Sequence, residues 1–404
     1  MRAPTIIVGT AVQRWSSTII VGSAARAPTI IVGAQRKEAR FFQSRSCGFA
    51  GRSLCNSQRR ADCSARAYAT CFPARNATAR AGARELTFDA TPGYAFAISL
   101  LPTGALLSAA MHIGRLSPCT LQIWLLREPL DRIESMWSYR RDLLHTSVGR
   151  QCSLAQALKA ELVYLDSPVG ANLVRQMLEG RASGDGGLAV GSAFALARSA
   201  GVRPIAGSGC VLAPRDKIVL QTFHFPQLLH FLDASQVAHG RALALQSEQL
   251  FADPTGVLTD VVGPFVHGAG GRGPGAAGDA AGNAARTEHH QRALRVRQRG
   301  RGRALRAPAL RSNPSVHQPR SPEYVSLRCK LVCTFAPFNA ALNQLLATDK
   351  RLVAYPPVPQ GRGRGTEFAL MPSNTSAGSP WWPETLYYPE CATPDLNCSS
   401  RPFL

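Results

Sequence analysis

The chain has 404 residues, 45% of them hydrophobic, enough for one large domain or two ordinary ones, and this excludes a wholly disordered chain. Its 46 Lys and Arg against 25 Asp and Glu give a formal net charge of +21, which favours polyanionic partners such as nucleic acid, sulfated glycan or acidic lipid without choosing among them. The 11 Cys are an odd number and cannot all pair internally; Cys47, Cys55, Cys63 and Cys71 recur without any CxxC or Cys/His ligand spacing, which argues against a zinc site.

Residues 1–36 hold an internal repeat. Arg2-Ala-Pro-Thr-Ile-Ile-Val-Gly9 returns at residues 26–33, and Thr18-Ile-Ile-Val-Gly22 is a third, shorter copy. Each copy reads as a buried strand ending in Gly, and since three copies cannot hold the same place in a sheet, only one is expected to be used. The apolar pieces are short and broken by Arg14, Gly22 and Arg26, so they do not make a signal peptide. Residues 43–84 are rich in Arg, Ser, Ala and Cys without a period and read as loop or disorder. An alternating strand follows at 85–89, then a turn at Thr91-Pro-Gly-Tyr94. Residues 90–114 are uncharged and about long enough for the ~20 residues of a membrane span. Pro102, Gly104 and His112 interrupt them, so they read as a helix and a connector, with membrane association left open.

The most informative stretch is 121–142, LQIWLLREPLDRIESMWSYRRD. An apolar run of strand length ends in Arg127-Glu-Pro129, after which Ile133, Met136, Trp137 and Tyr139 fall on or near one helical face. This predicts a strand, a turn and a helix. Arg127 stands at the strand's carboxyl end, and Arg132 and Ser135 lie one helical turn apart, so donors converge at a helix N-terminus, a setting suited to phosphate.

Further along, Ser153 with Gln156 makes a capping box for a helix over 153–162. Residues 181–216 are Gly and Ser rich and weakly patterned. A helix at 226–232, a strand at 242–246 and a short helix after Asp253-Pro254 follow. Residues 267–320 are low complexity, first Gly and Ala, then Arg-rich over 292–311, and cannot bury a core. A helix over 335–346 carries Phe338, Leu342, Leu345 and Leu346 as its apolar stripe, and residues 351–404 read as an irregular tail. The expected organisation is therefore a repeated strand segment at 1–36, a domain over 37–266 with an insert at 43–84, a second insert at 267–320, a closing helix within 321–350 and the tail. Alternating strands and helices predict an α/β fold with a mostly parallel central sheet, whose ligands enter at the carboxyl ends of the strands.

Arg127-Glu-Pro-Leu-Asp-Arg132-Ile-Glu-Ser135 has the form R-x-P-x-x-R-x-x-S and resembles the 3'-phosphate motif of sulfotransferases. Lys37-Glu-Ala-Arg-Phe-Phe42, Asp89-Ala-Thr-Pro-Gly-Tyr94, Ser247-Glu-Gln-Leu-Phe-Ala-Asp253-Pro254 and Phe335-Ala-Pro-Phe-Asn339-Ala-Ala-Leu342 are similar to further segments of that family, in the same order. The resemblance covers about half the chain and points to the Golgi-type branch that sulfates glycans. It implies a P-loop-like three-layer fold with long irregular insertions, 3'-phosphoadenosine 5'-phosphosulfate as donor, a carbohydrate hydroxyl as acceptor and no metal. Arg127 and Ser135 would hold the 3'-phosphate, and Glu38 matches the position that often serves as base. The 5'-phosphosulfate loop, G-x-x-[KR]-x-G-[TS]-[TS] in the family, is begun twice. Gly33-Ala-Gln-Arg36 runs directly into Lys37 without Gly-Thr-Thr, while Gly9 to Arg14 is followed by Trp15, Ser16, Ser17 and Thr18 without the second Gly. Arg14, Arg36, Ser17 and Thr18 are thus the loop's candidate residues.

A rival reading rests on the Arg-rich run 292–311, which suits a non-enzymatic RNA- or polyanion-binding protein. No aromatics are interleaved there to stack on bases, which places it second. Three acceptor sequons, at Asn76, Asn374 and Asn397, matter only in the secretory pathway.

Overall fold

The computed structural model describes residues 5–9, 18–21, 29–33, 84–89, 95, 98–100, 103, 105–114, 120–138, 152–180, 186–200, 210, 212, 217–268, 322–355 and 391. Nine strands are placed among them: β1 (Thr5–Gly9), β2 (Thr18–Val21), β3 (Thr29–Gly33), β4 (Arg84–Asp89), β5 (Ile98–Leu100), β6 (Leu106–Ser108), β7 (Leu121–Leu126), β8 (Ala242–Gln246) and β9 (Leu352–Ala354). Seven join one sheet in the order β2-β3-β4-β1-β7-β8-β9. Every neighbouring pair is parallel except β2 with β3.

The sheet is covered on both faces, the condition for long parallel pairing. All six residues of β7 and all five of β8 are buried. On one face, Leu121, Ile123, Leu125, Leu243 and Leu245 pack with apolar residues of a helical run over 254–268. On the other, Trp124, Leu126, Ala242 and Ala244 belong to the larger core. That core is built with α1 (Ala109–Gly114), α2 (Pro129–Ser138), α3 (Leu154–Leu165), α4 (Pro168–Glu179), α5 (Gly186–Ser199), α6 (His224–Ala234) and, after α7 (Ser247–Ala252), the long α8 (Pro322–Thr348). The chain is an α/β protein.

A buried polar pin joins β7 to α6. Gln122 donates to Ser235 Oγ at 2.8 Å and accepts from Trp124 Nε1 at 3.4 Å, while Ser235 donates to the carbonyl of Phe231. Trp124 meets Phe231 edge to face, with centroids 5.0 Å apart. The capping box before α3 is present: Ser153 Oγ accepts from Gln156 N and Gln156 Oε1 accepts from Ser153 N.

Several expectations are corrected. All three copies of the repeat are strands of the one sheet, with the first copy central between β4 and β7 and the second antiparallel at the edge. They occupy three different places, so their likeness creates no conflict. Residues 90–114 contain the β5–β6 hairpin and the short α1, rather than a helix and connector. Among the described residues no helix is long and apolar enough to cross a membrane.

The Gly- and Ser-rich stretch 181–216 contains the 14-residue α5, stabilised by packing rather than propensity. Its glycines lie against α6: a Cβ at Gly187 would stand 2.2 Å from Asp233 Oδ2, and one at Gly191 2.2 Å from His230 Nδ1. The tail begins with β9, the last parallel strand, because Ala242, Leu243 and Ala244 offer it a free edge. The closing helix is α8, longer than expected, with Phe338 stacked on Phe223 at a centroid distance of 4.0 Å.

Cys152 is disulfide-bonded to Cys210 and Cys329 to Cys391, and Cys333 is also disulfide-bonded. Cys47, Cys55, Cys63 and Cys71 lie outside the described residues, as do the inserts 43–84 and 267–320 except at their ends, where Arg84 opens β4 and residues 267–268 close the helical run over 254–268.

Candidate functional site

The strand order changes direction at β1. From β1 the chain passes to β2 at the sheet's edge and returns inward through β3 and β4, then crosses to β7 on the other side of β1, and the crevice beyond the carboxyl ends of such strands is where open α/β sheets take ligands. Gly9 ends β1 in register with Trp124, two residues before Leu126 ends β7, and Gln246 ends β8 opposite Leu126. Arg127 therefore leaves the sheet at its topological switch point, between the ends of β1 and β8.

Three side chains determine how the chain turns there. Glu128 is buried and its carboxyl caps α2, accepting from Leu130 N at 2.9 Å and Asp131 N at 2.6 Å. Glu248, near the start of α7, accepts from the amide of Glu128 at 2.8 Å and so bridges the ends of β7 and β8. His224, at the start of α6, is buried between two arginines. Its Nε2–H donates to the carbonyl of Arg127 at 2.7 Å, which leaves Nδ1 to accept from Arg132 Nη1, also at 2.7 Å.

The electrostatics follow from this burial. Desolvation pushes the Glu128 carboxyl up to about 8; its two amide hydrogen bonds oppose the rise, and the charges of Asp131 and Glu248 add to it. Burial likewise raises Glu248, against the pull of the Glu128 amide and Arg127. Burial first, and Arg132 second, hold His224 well below its usual range, so it is neutral. Burial and the neighbouring Arg127 bring Arg132 down to about 9, still charged at neutral pH. Burial thus disfavours the charged forms of both Glu128 and Glu248.

Arg127 itself is partly exposed, and among the described residues its ion pair is with Asp131 at 3.9 Å, a contact of little strength because Asp131 faces solvent. Ser135 is half-buried on α2. Two expectations are corrected. The first amides of α2 are taken by Glu128, so an anion at this turn must be held by side chains. Arg132 does not join Ser135 at the open end; its guanidinium is turned inward to His224.

Thr18 opens β2 in register with Val32, four strand positions from β7 and hence about 19 Å away at ~4.8 Å per strand, so it is not a loop residue beside Arg127. Glu38, Arg14, Arg36 and Ser17 lie outside the described residues.

The sequence did not single out His224. It sits in an apolar run and contacts Arg127 across 97 positions, and no local spacing encodes such a contact. Glu248 had a signal, the acid after a buried strand, but its bond to the next strand's turn is tertiary. No protein-family profile, no curated protein and no solved structure matches the chain.

Proposed function

We propose that the protein is a sulfotransferase-like nucleotide-binding protein of P-loop-like, three-layer architecture, built to take 3'-phosphoadenosine 5'-phosphosulfate and to transfer its sulfuryl group to a carbohydrate hydroxyl. The observation that carries the reading is the strand, turn and helix at Leu121–Ser138, with Arg127 leaving the sheet at the switch point beside Gly9 of β1. Two phosphates of one nucleotide need two adjacent strand ends, and the glycine-ended repeat copy beside β7 is the first, not the third. Arg127 and Ser135 would hold the 3'-phosphate, since the helix amides are already capped. Arg14 and Ser17, which follow Gly9 in the sequence, would hold the 5'-phosphosulfate, and Glu38 would take the acceptor proton.

The chemistry asks for cations on the leaving phosphate and a base at the acceptor, supplied by positioned side chains rather than a metal. The disulfides Cys152–Cys210 and Cys329–Cys391 suit an oxidising compartment, which supports a secretory route and a glycan acceptor.

Calorimetric titration of the full chain with adenosine 3',5'-bisphosphate tests the reading. Binding is expected, with affinity falling about tenfold or more in Arg127→Ala, as for a lost charge-assisted hydrogen bond. No binding by the parent chain sinks it. Salt-sensitive RNA affinity lost on deleting residues 292–311, in place of nucleotide binding, would establish the polyanion-binding rival.

A further inference from the structure

We propose that Glu248 holds the ribose 2'-hydroxyl of the nucleotide whose 3'-phosphate rests on Arg127, making this site selective for ribonucleotides; the proposal rests on the nucleotide reading above. Leu126 and Gln246 are paired across β7 and β8, so the residues that follow, Arg127 and Ser247, leave the sheet side by side. Glu248 then turns back, and its Oε1 accepts from the amide of Glu128. This bond fixes the carboxyl in the gap between the two strand ends, next to Arg127. The other oxygen, Oε2, is buried and has no hydrogen-bond partner among the described residues.

Glu248 is not alone in this. Ser247 Oγ and Gln246 Nε2 are also buried without partners among the described residues, and Ser247 and Gln246 are only 1% and 2% exposed. Native proteins bond nearly all such atoms, so three on consecutive residues at the ligand end of a sheet mark a place where a ligand completes the hydrogen bonding. The mixture is a carboxyl, a hydroxyl and an amide, which suits a neutral hydroxylated group and disfavours a second phosphate. In a nucleoside 3'-phosphate the 2'-hydroxyl is on the carbon next to the phosphate. A guanidinium and a carboxyl oxygen on adjacent strand ends match that pair, and a hydroxyl bonds to the carboxyl whether or not it is protonated.

The test compares adenosine 3',5'-bisphosphate with its 2'-deoxy analogue by calorimetry on the full chain, then repeats the comparison with Glu248→Ala and Glu248→Gln. The parent is expected to bind the deoxy compound at least about tenfold more weakly, because a buried acceptor is then left unpaired. That ratio should fall to near one in Glu248→Ala and persist in Glu248→Gln, which keeps a polar group at the same place. If Glu248→Ala does not fold, Glu248→Met preserves the side-chain volume and is expected to lose the discrimination too. Equal affinities in the parent overturn the assignment and leave the nucleotide reading intact, and so does discrimination that survives in Glu248→Ala or Glu248→Met. Failure of the parent to bind either compound overturns both.

Discussion

The imidazole of His224 donates to the backbone carbonyl of Arg127 at 2.7 Å, so a residue on one helix fixes the direction in which the chain leaves β7. The same ring accepts from Arg132, and both of its nitrogens are therefore engaged. Replacing it by Phe keeps the volume but leaves a buried carbonyl and a buried guanidinium short of a partner. We expect His224→Phe to lower the unfolding free energy by about 3 kcal/mol or more in urea titrations. A loss within the ordinary scatter of surface substitutions would mean that the ring is mere filler.

Glu128 imposes a pH dependence of definite sign. Its folded value of about 8 lies above the unfolded 4.5, so its contribution is complete below 4.5 and is lost as pH rises through 8. Glu128→Gln cannot titrate. The stability gap between parent and Glu128→Gln should therefore be widest at pH 4.5 and below and shrink progressively towards pH 8 in chemical denaturation. Parallel profiles across that window contradict the assignment.

His230 works in the opposite direction. Its Nδ1–H donates to the carbonyl of Gly187 at 3.0 Å while Nε2 is buried without a partner among the described residues, and burial is the leading cause that lowers its pKa below 6.5. A depressed histidine contributes stability above its unfolded value of 6.5 and loses it as pH falls through the folded value. Asn at this position can retain the bond to Gly187 without titrating. His230→Asn should flatten the loss of stability below pH 6.5, and an unchanged acid slope would count against His230 as its source.

The α5–α6 contact depends on Gly191. A methyl group there would meet the ring of His230, which is itself fully buried. We expect Gly191→Ala to destabilise by about 1–3 kcal/mol despite its gain in helix propensity. A stabilised variant would show that α5 can move away freely.

Cys152–Cys210 closes a loop with a separation of 58 residues, from the capping box of α3 to the segment that precedes Lys217. Loop closure on that scale is worth about 4 kcal/mol in the chain-entropy account. The double variant Cys152→Ser, Cys210→Ser should lose most of that amount, measured by denaturation under non-reducing conditions. Unchanged stability would show that the crosslink restricts the unfolded chain very little.

Much of the architecture was legible because its signals are local. The apolar run of β7 ending in Arg-Glu-Pro announced a strand, turn and helix; Ser153 and Gln156 announced α3; Phe338, Leu342, Leu345 and Leu346 announced the buried face of α8. Weak local signals misled. The glycines of α5 read as loop because a single sequence does not show that Asp233 and His230 would need the space. The three residues of β9 carry no period of their own and are a strand only because β8 accepts them.

The site divides along the same line. That a guanidinium would stand at the carboxyl end of a buried strand followed by a helix was determined by the sequence, through period and punctuation within 20 residues. Tertiary structure alone decided that the first repeat copy lies beside that strand, that Glu128 takes the helix amides, that Arg132 turns inward to His224, and that Glu248 bridges two strand ends. Each of these joins groups far apart in the chain or chooses among equivalent partners, and such choices depend on which surfaces the folded core brings together.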